Sequence, residues 1–224
     1  MIDPSHEIDN PEITPLYARR LVHLIRPFPN FDFFFIKSMR QKAVDLLQLK
    51  PGDRVLDAGC GPGGSFPYLV SAVGPGGEVV GVEISPETTI NAQRRIEHNG
   101  WKNVKAIAAD ARTVRLEGEF DGLLSFAAPD VYASPQALSH LIPYLKDDAL
   151  IVAFGGKLSQ RRSGKIFNSF FRSTFSKLTF ASTPGLNDQP WNLLKEHTDD
   201  LKIQEYFFGW MFMASGTIDR RKRT

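Results

Sequence analysis

Between residues 53 and 154, short runs of apolar residues alternate with stretches of helical periodicity. The apolar runs predict five β-strands, because they are rich in Val, Ile and Leu and are bounded by turn residues. The predicted strands are RVLDA (54–58), EVVGVEI (78–84), VKAIAAD (104–110), DGLLSFA (121–127) and ALIVAF (149–154). Strands separated by helices are typical of a parallel α/β sheet. Two further β-type runs, 201–209 and 211–218, predict an antiparallel pair added to the edge of that sheet.

Local signals mark two of the helices. Ser85-Pro86-Glu87 predicts a helix start, with serine as the cap and proline at the first helical position. Asn99-Gly100 predicts its end, through a residue in the left-handed conformation. A second helix is predicted over residues 31–49, because apolar residues recur there at helical spacing. The residues on its apolar face are Ile36, Met39, Ala43, Leu46 and Leu47.

The chain divides into two parts. Pro27 and Pro29 separate the helix just described from an earlier one around residues 12–26. We therefore expect an N-terminal helical cap over residues 1–49. The α/β domain is expected to occupy residues 50–224.

The composition is that of a folded protein in a reducing compartment. Of the 224 residues 42% are hydrophobic, and the net charge of +2 is too small to make the whole molecule a nucleic-acid binder. Cys60 is the single cysteine, so no internal disulfide can form and a cytoplasmic location is expected. The longest uncharged apolar run, residues 206–218, is too short to span a bilayer. The five histidines show no paired spacing, and no metal site is expected.

A glycine-rich loop, residues 59–64, follows the first predicted strand directly. Its spacing satisfies G-x-G-x-x-G, a dinucleotide fingerprint, but glycines also mark tight turns that bind nothing. Three acids make the pattern more specific, because Asp57, Glu83 and Asp110 accompany the ends of three successive strands. The carboxyl ends of parallel strands meet at one sheet edge, where ligands bind. A nicotinamide-dependent enzyme would explain Asp57 and Glu83 but gives no reason for Asp110.

Four segments resemble, in order and spacing, the motifs of class I S-adenosylmethionine-dependent methyltransferases. They are VLDAGCGPGG (55–64), VVGVEISPE (79–87), AIAADARTV (106–114) and FDGLLSFAAPD (120–130). The resemblance covers residues 50–155. It implies a Rossmann-like α/β fold, with a seven-stranded, mostly parallel sheet, an antiparallel last strand and helices on both faces. It also implies S-adenosylmethionine as the cofactor.

The resemblance assigns a set of binding residues at the strand ends. Those expected around the methionine part of the cofactor are Asp57, Gly59, Gly61 and Gly63. Those expected at the adenosine part are Glu83 for the ribose, and Asp110, Ala111 and Ile84 for the adenine. Those expected to face the methyl group and the acceptor are Ser125 and Phe126.

Residues for catalysis are only weakly marked. Methyl transfer is an in-line displacement that chiefly needs alignment and desolvation, so no acid or base is strictly required. The fourth motif reads Ala127-Ala128-Pro129-Asp130 and lacks the Asn/Asp-Pro-Pro-aromatic signature of methyltransferases that act on exocyclic base amines. Candidate catalytic residues are Asp130 and Tyr132 after the fourth strand, and His23 in the N-terminal cap. The alternative for Pro129-Asp130 is a helix cap without a chemical role.

A basic, Phe-rich segment follows the fifth strand, and no acid occurs from Ala149 through Asn187. At helical spacing its phenylalanines share one side and its cations the other. This favours either a lid helix with a solvated basic face or an amphipathic helix on an anionic membrane or acidic amphiphile. We expect a mobile lid over residues 157–187, with Phe167 and Phe171 contacting the acceptor.

Together these features predict a methyltransferase for a small apolar or amphipathic acceptor, such as a lipid amine, a quinol or a phenol. A nucleic acid is not the expected partner, whereas the basic segment is compatible with peripheral contact at the inner membrane surface. Two alternatives stay open, an RNA or protein methyltransferase and a catalytically silent cofactor-binding subunit. The oligomeric state stays open too.

Overall fold

A computed structural model describes residues 34–160, 168 and 188–219. Its centre is a seven-stranded sheet in the order β3-β2-β1-β4-β5-β7-β6. The strands are β1 (Arg54–Ala58), β2 (Glu78–Glu83), β3 (Val104–Ala108), β4 (Phe120–Phe126), β5 (Leu145–Gly156), β6 (Lys202–Tyr206) and β7 (Met211–Thr217). Strands β1 to β5 are parallel, and β7 runs antiparallel to both of its neighbours. This confirms the predicted sheet.

Helices flank the sheet on both faces, as predicted. The described α-helices are α1 (Phe34–Leu46), α2 (Phe66–Val73), α3 (Pro86–Asn99), α4 (Pro129–Tyr132), α5 (Pro135–Leu141) and α6 (Asn192–Lys195). Short 3-10 turns cover Ile142–Tyr144 and Phe207–Gly209. No helix in the described part of the chain is long and apolar enough to cross a bilayer.

Neighbouring residues along each strand serve two separate cores, because successive side chains point to opposite faces of a sheet. Val55 packs with the buried residues of α1, α2 and α3, whereas Leu56 packs with those of α4, α5 and α6. The buried residues of α1 are Ile36, Ala43 and Val44, and Leu47 is buried just after the helix ends. Burial of Ile36, Ala43 and Leu47 agrees with the apolar face predicted for this helix. The division of the chain at residue 49 stays a prediction.

The predicted ends of α3 are also confirmed. The Ser85 hydroxyl accepts a hydrogen bond from the Thr88 backbone N–H at 3.3 Å, and Pro86 occupies the first helical position. Gly100 ends the helix with a φ of +65°. Both signals are local, which explains why the sequence alone places this helix correctly.

The order of the two terminal strands in the sheet is the reverse of their order along the chain. The last strand, β7, inserts between β5 and β6, and pairs with β5 from Leu150↔Thr217 to Gly156↔Met211. Strand β6 therefore forms the rim of the sheet. Since β6 runs parallel to β5, the turn between β6 and β7 lies at the edge of the sheet where β1 to β4 also end.

The turn after β1 packs tightly against the start of α4. Gly59 has a φ of +77°, and a Cβ placed there would lie 2.3 Å from the Ala128 Cβ. Backbone conformation and close approach both demand glycine at this position. The contact couples the loop after β1 to the segment after β4.

We expect Gly59→Ala to lower the free energy of unfolding by about 2 kcal/mol or more, through a strained φ and an overlap with Ala128. Gly76→Ala is the matched control, because its Cβ would meet nothing within 4 Å. That change should stay within about 0.5 kcal/mol of wild type. Urea unfolding measures both, and equal stability of the two variants would contradict the packing described.

Candidate functional site

The loop after β1 exposes backbone rather than side chains at the carboxyl edge of the sheet. Gly61 has a φ of +55°, and a Cβ there would meet nothing within 4 Å. The loop therefore has open space on the side that Gly61 faces. Gly63 lies instead against the Phe66 ring, which a Cβ would approach to 2.6 Å. The loop thus combines a packed base with an open rim.

Asp57, at the end of β1, is completely buried. Neither of its carboxylate oxygens has a hydrogen-bond partner among the described residues. Burial raises the pKa of Asp57 to about 7, although the positive charge of Arg40 opposes the rise and Glu83 adds to it. A buried carboxylate of this kind is costly unless a cation or a set of donors meets it. The site therefore suits a ligand that brings a positive charge.

Arg40 of α1 is the residue that sequence reasoning missed. Its Nη1 donates to the Ser65 hydroxyl at 2.9 Å, and its Cζ lies 4.4 Å from the centre of the Phe126 ring. Gly64 makes room for it, since a Cβ there would lie 2.8 Å from Arg40 Cζ. The signal was present in the sequence, because Arg40 falls on the apolar face of its helix, between Ile36 and Ala43 in the helical repeat.

Glu83, at the end of β2, connects two backbone segments. Its Oε2 accepts from the Gly61 N–H at 3.1 Å and its Oε1 accepts from the Ser85 N–H at 2.9 Å. Loss of hydration raises the pKa of Glu83 above its ordinary value. The two bonds fix the carboxylate beside the glycine loop. The remaining acceptor capacity of the two oxygens fits the paired hydroxyls of a ribose.

A cavity of about 230 Å³ opens next to this carboxylate, between the ends of β2 and β3 and helices α4 and α5. It brings together several residues predicted to bind cofactor or to take part in catalysis, namely Gly59, Ile84, Asp110, Ala111 and Asp130. The cavity is lined by apolar groups with acids at its rim. That arrangement fits a flat heterocycle with exocyclic donors.

Arg112 closes one side of the cavity and was not foreseen from the sequence. Its Nε donates to both carboxylate oxygens of Asp110, at 2.9 Å each, and its Nη2 donates to Oδ2 at 2.5 Å. These hydrogen bonds lower the pKa of Asp110. In this structure the acid expected at the adenine is therefore engaged by a guanidinium of the same loop.

The structure separates the two catalytic candidates that follow β4. Asp130 is solvent-exposed and lines the cavity beside Asp110, on the side of the expected adenine. Tyr132 is buried and stacks edge-on against Phe212, at 5.4 Å between ring centres. Burial raises the pKa of the Tyr132 phenol well above its usual range. The position of Tyr132 favours a packing role.

The two residues expected at the methyl group lie at the end of β4. Ser125 is buried and donates to the Ala128 carbonyl oxygen at 3.3 Å. Phe126 is stacked on Phe154 of β5, with 4.4 Å between the ring centres. Phe126 and Phe154 form a buried aromatic layer at the ends of β4 and β5, which we call the aromatic floor. The other predicted residues, His23, Phe167 and Phe171, lie outside the described residues, as does most of the predicted lid.

Taken together, the fold and the site define an α/β protein built to hold a cationic adenosyl ligand at the carboxyl edge of its sheet. A family of proteins described as the methyltransferase domain matches residues 49–160, half of the chain. The chain belongs to this family, whose class I members use S-adenosylmethionine.

Individual relatives extend the match beyond the cofactor-binding half. The chain is 32% identical over 158 residues to a protein-L-isoaspartate O-methyltransferase of Fervidobacterium nodosum, covering 68% of this chain and 75% of the relative. It is 26% identical over 182 residues to a demethylmenaquinone methyltransferase of Symbiobacterium thermophilum, covering 77% and 69%. Relatives named as RNA methyltransferases match over only 39% to 43% of this chain.

Many of these matches cover only part of the relative. Two of the curated relatives are matched over only 26% and 28% of their own length. A solved methyltransferase of Aquifex aeolicus superposes with a TM-score of 0.57 at 19% identity, covering 85% of this chain and all of that one. This likeness shows that the two proteins share a fold.

The buried charge of Asp57 leads to a prediction about stability. The folded-state pKa of Asp57, about 7, exceeds its ordinary value of 3.8, so wild type loses stability as the pH rises from 3.8 to about 7. Asp57→Asn removes the penalty and should raise the unfolding free energy by up to about 4 kcal/mol near pH 8. The gain should vanish below about pH 4, where both states carry the proton.

Urea unfolding across pH tests this expectation without any ligand. Asp45→Asn, an exposed residue of α1 whose Oδ1 accepts from Gln41 at 2.7 Å, is the control and should change little. A variant at Asp57 that is less stable than wild type near neutral pH would show that the carboxylate has a stabilising partner.

Proposed function

We propose that this protein transfers a methyl group from S-adenosylmethionine to a small amphipathic acceptor of the lipid amine, quinol or phenol type. The observation that carries the proposal is the pair of opposite charges beside the glycine loop. Asp57 is buried without a hydrogen-bond partner among the described residues, and the Arg40 charge is close enough to lower its pKa. An amino-acid group, with an ammonium and a carboxylate, is the ligand that both charges fit.

The methionine end of the cofactor is therefore assigned to this pair. Asp57 would complement the ammonium, and Arg40 would receive the carboxylate over the glycine loop. The open space at Gly61 lets the ligand approach the backbone closely, as the cofactor requires. Because Arg40 comes from α1, this helix contributes to the site itself.

The adenosine end is assigned to Glu83 and the adjoining cavity. Glu83 is already oriented by Gly61 and Ser85, so its remaining acceptor sites can meet the ribose hydroxyls without rearrangement. Asp110 differs from Glu83, because its carboxylate oxygens already accept hydrogen bonds from the Arg112 side chain. An adenine amine that binds Asp110 would displace at least one of the Arg112 hydrogen bonds. Arg112 would then be released to cover the ring.

When bound, the cofactor would supply a methyl group attached to a sulfonium sulfur: the acceptor's electron pair bonds to the methyl carbon as the carbon–sulfur bond breaks, leaving a neutral thioether. The protein aligns the two molecules and excludes water, which can contribute on the order of 7–11 kcal/mol. The aromatic floor of Phe126 and Phe154 keeps the reacting end of the site apolar. Asp130, Tyr132 and His23 have no step assigned to them. An acceptor with an acidic O–H or a free amine can lose its proton to solvent.

Two observations support the choice of acceptor. The alignment with the demethylmenaquinone methyltransferase covers 77% of the chain, whereas the curated relatives named for RNA align over less than half of it. The segment after β4 carries Ala127 and Asp130 where base-amine methyltransferases have a polar and an aromatic residue, respectively. Both favour a small amphipathic acceptor over a nucleobase.

Arg40→Met provides a selective test of the assigned cofactor orientation. We expect the variant to bind S-adenosylhomocysteine about tenfold more weakly, because a charge-assisted hydrogen bond to the carboxylate is lost. Its affinity for 5′-methylthioadenosine, which lacks the amino-acid group, should be unchanged. Calorimetry measures both ligands, with Lys42→Met on the same helix as control. Equal losses of affinity for the two ligands would show that Arg40 does not bind the carboxylate of the amino-acid group.

A methyl-transfer screen tests the acceptor class. Purified protein with labelled S-adenosylmethionine should methylate one or more members of a panel of quinols, phenols and lipid amines. Bulk RNA and unfolded protein belong in the same panel, and labelling of either one alone would overturn the proposed acceptor. Tight binding of S-adenosylhomocysteine with no labelled product in any arm would indicate a cofactor-binding subunit that lacks activity by itself.

A further inference from the structure

Exposed aromatic side chains cluster at the turn between β6 and β7. Among the described residues four large apolar side chains are exposed, and three of them lie together: Phe35 (38%), Phe207 (44%) and Phe208 (66%). The Phe35 and Phe207 rings meet edge to face, with 4.9 Å between centres. We call these three residues the aromatic turn patch. The fourth side chain, Ile90 (46%), belongs to α3.

The backbone that carries the patch is in an unfavourable conformation. Phe207 and Phe208 have φ values of +50° and +58°, and Gly209 follows at +85°. Bulky residues rarely adopt this left-handed region, which glycine or asparagine would occupy without difficulty. Two consecutive phenylalanines there need strong support from their surroundings.

That support comes from the chain just after β5. The Ser159 hydroxyl donates to the Phe208 carbonyl oxygen at 2.6 Å, and the Lys157 backbone N–H donates to the Trp210 carbonyl oxygen at 2.9 Å. The Lys157 ammonium is completely buried, donates to the Gly209 carbonyl oxygen at 3.3 Å and pairs with Glu205 Oε1 at 2.7 Å. A buried ion pair specifies geometry more than it adds stability. The turn is therefore held rigid with its two phenyl rings outward.

Among the described residues a cation lies beside the patch. Lys42 of α1 places its Nζ 5.1 Å from the centre of the Tyr206 ring, next to Phe207. Asn168 is also attached here, because its Oδ1 accepts from the Ser159 N–H at 3.0 Å and from Trp210 Nε1 at 3.2 Å. Exposed phenyl rings with the Lys42 ammonium beside them match an anionic lipid surface.

We propose that the aromatic turn patch docks this protein on an anionic lipid bilayer, with Phe207 and Phe208 entering the interfacial region. Three side chains are far too few for a stable protein interface, which takes roughly 20–30 residues on each side. The proposal goes beyond methyl transfer and does not depend on it. Phe35 precedes Arg40 by five residues, about 7.5 Å along α1, so docking would bring the cofactor site close to the lipid headgroups.

Vesicle sedimentation of the full chain tests the docking. The probes are phosphatidylcholine vesicles with and without about a third of phosphatidylglycerol, at low salt. Wild type should bind the anionic vesicles, and Phe208→Ser should bind roughly tenfold more weakly, because an exposed phenyl ring is lost from the interface. Ile90→Ser is the matched control and should bind as wild type. The Phe208 side chain makes no hydrogen bond, so its replacement leaves the supporting network intact.

Two outcomes would overturn the proposal. One is a wild type that ignores anionic vesicles, and the other is a Phe208→Ser variant that binds them as tightly as wild type. S-adenosylhomocysteine affinity, measured on the same samples, distinguishes failure of docking from failure of the proposed function.

Discussion

A carboxylate buried at the sheet edge is the feature around which the site is organised. Asp57 lies completely inside the protein and has no hydrogen-bond partner among the described residues. The charge of Arg40 offsets part of the cost of burying this carboxylate. The remaining cost lowers stability in the absence of a ligand, as is common at functional sites.

In the proposed orientation the two ends of the cofactor meet different kinds of group. The adenosine end would meet Glu83, whose carboxylate two backbone N–H groups hold in place. The methionine end would meet Arg40, which donates to the Ser65 hydroxyl from a helix packed in the core. Binding at this end would then depend on α1 as well as on the glycine loop. The same helix carries Phe35 to the aromatic turn patch, which connects the cofactor site to the surface proposed for docking.

Sequence reasoning succeeded where the determinants are local or lie in one strand end. The strands, the Ser85 cap and the acids at 57, 83 and 110 follow from patterns a few residues long. It missed Arg112, because a cation after a motif is ordinary until the fold shows its partner. It also missed Arg40, although this cation interrupts the apolar face of its helix. The position of β7 between β5 and β6 depends on long-range pairing, which no local pattern encodes.

Proton release on ligand binding tests the central claim most directly. At about pH 6.5 a carboxyl with a pKa near 7 is mostly protonated, and a cationic ligand must drive that proton off. Calorimetry of S-adenosylhomocysteine in two buffers of different ionisation enthalpy should therefore report release of roughly half to one proton, absent in Asp57→Asn. Tight binding without any proton release from wild type would show that the Asp57 carboxylate is not the group that meets the ligand.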